Sequence, residues 1–84
     1  MNQNSIQAEV AYFEIIFRRN MSEWVLLKQD PLLPFDLRFK DPEPGKAGAI
    51  GYARFVGRKT GGLIRVLAPG CRPQTLFFPV ERIE

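Results

Sequence analysis

Eighty-four residues, 45% of them hydrophobic and 25% charged, with a net charge of +3, make one domain with no room for a second core. A chain this short buries only about 60–65% of the surface its unfolded form exposes, so self-association would add stability. There is no histidine, and Cys71 is the sole cysteine, which removes the commonest general base, any internal disulfide and any cysteine-based zinc cluster.

On these grounds no enzyme activity, cofactor or metal is expected. The N-terminal MNQNSIQAEV, with a polar tip over residues 1–5, lacks the basic-then-apolar pattern of a signal peptide. No apolar run approaches the ~20 residues of a membrane span. The expected localisation is cytoplasmic, with no membrane partner.

In chain order, AEVAYFEIIFRR has two readings. As a strand it places Ala11, Phe13, Ile15 and Phe17 on one face, and its β-branched and aromatic content suits that reading. As a helix over about 5–28 it aligns Ile6, Val10, Phe13, Phe17, Met21 and Trp24 behind an Asn4 or Ser5 cap. The strand is preferred. After the turn-like Asn20-Met21-Ser22, the segment EWVLLKQ stops before Pro31, which turns the preceding residue away from helical geometry. LPFDLRFK alternates Leu33, Phe35, Leu37 and Phe39 with polar residues, and Pro34 marks it as an edge strand. DPEPGKAG (41–48) reads as a mobile loop. AIGYARFV, GLIRVLA and QTLFFPV follow as three short strands, separated by GRKTG and PGCRP. VERIE is expected to close the chain with a 3₁₀ turn and a short pairing strand.

Glycines around Arg58-Lys59-Thr60 raise the question of a phosphate loop. The spacing Gly51 to Gly57 encloses five residues, not the four of a G-x-x-x-x-G-K-[ST] loop. The residues that follow are strand-like, where a phosphate loop leads into a helix. The stretch 51–66 is better read as a hairpin, turned by Gly61-Gly62.

Charge is concentrated in the middle. Lys40, Lys46, Arg54, Arg58, Lys59, Arg65 and Arg72 face only Asp41 and Glu43 over residues 40–72. Two binding readings follow. In the first, the hairpin meets nucleic acid, with Arg54, Arg58, Lys59 and Arg65 on phosphates and Tyr52 stacking on a base. In the second, Tyr12, Ile16, Trp24, Leu63, Leu67 and Phe77 exceed what so small a core can hold, and form an interface for a protein partner or a homo-oligomer. Asp30, Asp36, Asp41 and Glu43 match no cation-binding spacing and read as surface and turn residues. Cys71, between Gly70 and Arg72, reads as a passive thiol.

The C-terminal TLFFPVERIE resembles the last strand and 3₁₀ turn of SH3-like small barrels. Within that class it is similar to type II dihydrofolate reductases over about ten residues, through Pro79, Val80 and Glu81-Arg82-Ile83. Leu76, Phe77 and Phe78 stand where that family carries its active-site glutamine, isoleucine and tyrosine, so the resemblance implies a fold and not the reductase activity. The expected architecture is mainly β: a small SH3-like barrel, or a highly bent antiparallel sheet of five to six short strands. The alternative is α+β with the N-terminal helix at about 5–28. The expected function is that of a non-catalytic binding module.

Overall fold

A computed structural model describes residues 10–81. The fold is mainly β, one five-stranded sheet with one helix against it. Strand β1 (Ala11–Arg18) leads through a 3₁₀ turn at Arg19–Met21 to β2 (Glu23–Leu26), and β3 (Leu37–Lys40) completes a meander. Helix α1 (Gly45–Val56) then carries the chain to β4 (Gly62–Leu67), which turns back into β5 (Gln74–Phe78). The strand order is β3-β2-β1-β4-β5.

Alternation along β1 produces two faces. The register pairs Ile15 with Leu26 and Phe17 with Trp24, and places Phe13 beside Ile64 and Ile15 beside Val66. One face therefore carries Ala11, Phe13, Ile15, Leu26, Ile64, Val66 and Phe78, all buried in one core with Ala49 and Ala53 of the helix. Phe13 and Phe78 stack within it at 6.4 Å between ring centroids. Removing a large side chain such as Phe13 from a core of this kind typically costs about 3–5 kcal/mol. The strand reading of residues 11–18 holds, and the helix at about 5–28 does not form over its described part; residues 5–9 lie outside the described residues. β3 is an edge strand as expected, but it spans only Leu37–Lys40 and not 33–40: Pro34 lies before it, and Phe35 is exposed instead of facing inward.

Three expectations are corrected. The sheet is mixed, not antiparallel, because β1 and β4 pair in parallel at its centre. It also does not close into a barrel: β3 and β5 remain its two edges, and α1 covers the apolar face that closure would otherwise hide. Finally, the hairpin 51–66 is absent. Residues 45–56, including AIGYARFV, form a helix, and the 41–48 segment is a turn only as far as Pro44.

The physical reason lies in spacing. Gly45, Ala49 and Ala53 recur every four residues and are the buried positions of α1, so a stripe of small side chains lets the helix lie close to the sheet. A parallel β1–β4 pair also needs a crossover connection, which a two-residue hairpin turn cannot supply. Gly61 and Gly62 serve this packing. Gly61 has φ +70°, and a Cβ on Gly62 would lie 2.1 Å from the carbonyl oxygen of Ala11. The glycine pair admits β4 against β1; it does not make a hairpin.

Candidate nucleic-acid interface

With its small residues buried, α1 turns Tyr52 and Phe55 outward, 43% and 56% exposed. They stand three residues apart, adjacent on the helix surface, with ring centroids 6.3 Å apart at 61°. Phe39 of β3 extends the row, 6.2 Å from Tyr52. At the other end the Arg58 guanidinium lies 4.2 Å from the Phe55 centroid, and Arg58 Nη1 donates to the Phe55 carbonyl at 2.7 Å. The arginine thus meets an aromatic face and the negative end of the helix dipole together. Phe39, Tyr52, Phe55 and Arg58 form a continuous ridge.

A shallow groove of about 340 Å³ runs beside this ridge, lined by Gly51, Arg54, Phe55, Phe78, Pro79 and Glu81. The Glu81 backbone N–H donates to the Arg58 carbonyl at 2.8 Å, which fastens the segment after β5 to the helix end. Among the described residues that line the groove, Glu81 is the one acid. Arg54, also on that lining, is exposed, and so is Lys59 in the turn after the helix. Arg54, Arg58 and Lys59 follow one another on the helix and the turn after it with no acidic residue between Gly45 and Val80 in sequence, so this end of the helix presents positive charge.

Of the residues singled out from the sequence, Tyr52, Arg54, Arg58 and Lys59 gather here, on the helix and the turn that follows it. Arg65 does not join them. It is exposed on β4 between the buried Ile64 and Val66, and therefore points from the opposite face of the sheet. Phe55 adds to the set gathered on the helix; the Tyr52-Phe55-Arg58 spacing of three is the helical signal that identifies it.

The opposite face, which α1 does not cover, carries the other candidate set. Tyr12 pairs with Leu63 and Ile16 with Leu67 across β1 and β4, and Leu63 pairs with Phe77 on β5. All five lie on it, with Phe77 the most exposed at 78%. Val10 and Val80, which the sequence reading did not select, extend the apolar end. Trp24 is not among them. It packs on Phe17 at 4.7 Å on the helix side, donates from Nε1 to Asp41 Oδ1 at 3.0 Å, and lies under Lys46. It ties β2 to the turn before α1.

Polar chemistry on the open face centres on Glu14. The Tyr12 hydroxyl donates to Glu14 Oε2 at 3.0 Å. That bond, with partial burial and the carboxylate charge, raises the phenol above its ordinary 10.0, while Arg65 opposes the shift. The ion pair among the described residues is Arg38 with Glu23, at 3.9 Å. Cys71 is free and exposed. No three potential metal ligands gather among the described residues, and no helix there is long and apolar enough to cross a membrane. No family model, curated protein or solved structure matches the chain, so its functional reading rests on this geometry.

Proposed function

We propose that the chain is a non-catalytic binding module that holds single-stranded nucleic acid on the outward face of α1. The observation that carries this reading is the exposed Tyr52–Phe55 pair, flanked by Arg54, Arg58 and Lys59 without an intervening acid on the helix. Exposed rings stack on bases regardless of sequence, at about 1–3 kcal/mol per base. A duplex hides those base faces, so single strands are the better match. Arg54 and Lys59 meet phosphates, and Arg58 supports the stack by holding the Phe55 ring from its other side.

The test is fluorescence anisotropy with a short labelled oligonucleotide, single-stranded and duplex, across a salt series. Single strands bind more tightly, and log K falls by about 0.7 for each phosphate contact as log salt rises. Lys59→Ala reduces that slope by about 0.7. Phe55→Ala weakens binding by roughly five- to 150-fold, the stacking energy of one base converted to affinity. Absence of binding at low salt, or equal binding of single strand and duplex, contradicts the reading.

A further inference from the structure

The central pair of strands is parallel, and parallel pairs are usually covered on both faces. Here α1 covers one face only. On the other, Tyr12, Leu63 and Phe77 form an apolar row that Val10 and Val80 extend. The next row is polar, with Glu14 beside Arg65 and Arg65 beside Thr75. The third is apolar again, with Leu67 and Ile16 half-buried; Val25 beside Ile16 is already covered within the chain and offers no surface. Arg65 makes no ion pair among the described residues, although its strand neighbour is a carboxylate.

We propose that this face is the interface of a symmetric homodimer, two sheets packed face to face about a two-fold axis running along the strands between β1 and β4. A rotation about that axis lays β1 of one copy over β4 of the other at the same height. Glu14 then faces the second copy's Arg65, and Arg65 faces its Glu14. Tyr12 meets Leu63, and Ile16 meets Leu67. The pattern is self-complementary, as a two-fold interface requires. Like charges are not brought together in this row.

Area sets the strength. Twenty-seven strand residues, each rising about 3.3 Å on strands about 4.8 Å apart, present a footprint of at most roughly 430 Å² per copy. The total stays below the ~1,000 Å² that separates specific interfaces from incidental contacts. The dimer is therefore reversible, with micromolar rather than obligate affinity. Packing leaves both α1 helices on the outside, so the assembly carries two nucleic-acid faces pointing in opposite directions.

Sedimentation velocity on the full chain tests this, with variants chosen on exposed or half-buried strand positions. The wild type moves as a species of twice the 9.6 kDa chain mass at tens of micromolar and dissociates on dilution. Phe77→Glu weakens the dimer at least tenfold, as do Glu14→Arg and Arg65→Glu separately. Circular dichroism confirms that each variant remains folded. The decisive sample is an equal mixture of the Glu14→Arg and Arg65→Glu proteins. Each copy then offers charges opposite to those of its partner, so the mixture dimerises although neither variant does alone. A wild type that stays monomeric at high concentration overturns the proposal. So does a dimer indifferent to Phe77→Glu and both charge reversals, or a mixture that stays monomeric.

Discussion

The Tyr12 hydroxyl donates to Glu14 Oε2 at 3.0 Å, and the bond exists only while the phenol is protonated. Its pKa in the folded chain is raised above 10.0, first by this bond, then by partial burial and the Glu14 charge. The sign of the linkage follows. The contribution to stability is fully present below the ordinary pKa and is lost as pH rises through the raised one. A tyrosinate absorbance titration in a Tyr52→Phe background isolates the Tyr12 signal. Its midpoint falls above 10.0, and Glu14→Gln moves it downward by removing the charge. A midpoint at or below 10.0 would show that the bond does not persist in solution.

Helix α1 is the element on which the candidate site depends, and its interior glycines are unequal. A Cβ on Gly51 meets nothing within 4 Å, whereas one on Gly48 would lie 2.6 Å from Pro44 Cβ and 3.3 Å from the Phe39 ring. Gly51→Ala therefore stabilises the fold by roughly 0.5–1 kcal/mol, the intrinsic helix preference of alanine over glycine. Gly48→Ala gains none of this, or loses stability to the contact. Urea denaturation of the two variants reads the difference, and equal shifts would contradict this placement of the helix. The same element explains what was legible in the sequence. Strand β1 declared itself because Phe13 and Ile15 are large and alternate with Tyr12, Glu14 and Ile16 on the opposite face. Helix α1 did not, because the side it buries is Gly45, Ala49 and Ala53, whose small side chains carry almost no hydrophobic signal. Its glycines read as turns, which turned a helix into a hairpin. The cations of the site were visible as composition, but their grouping was not. Placing Arg54 and Arg58 on one side of the sheet and Arg65 on the other depends on the β1–β4 pairing, a contact between residues about fifty apart in sequence.

At the scale of the molecule, a sheet one layer thick separates two different surfaces. The helix side offers Tyr52 and Phe55 among cations, while the open side offers Tyr12, Leu63 and Phe77 around a Glu14–Arg65 row. In the proposed dimer the ridge stays free, so the proposed self-association and the proposed nucleic-acid binding do not compete. Two ridges on the proposed dimer are expected to give bivalent binding to a strand long enough to reach both. The most direct test of the central claim is an amide chemical-shift titration of the isotopically labelled chain with a short single-stranded oligonucleotide. Perturbations are predicted to concentrate on residues 51–59 and at Glu81, with the alternating outer positions Tyr12, Glu14, Leu63 and Arg65 unmoved. Shifts centred on β4 and β5, or no shifts at saturating oligonucleotide, would contradict the assignment of nucleic-acid binding to the helix face.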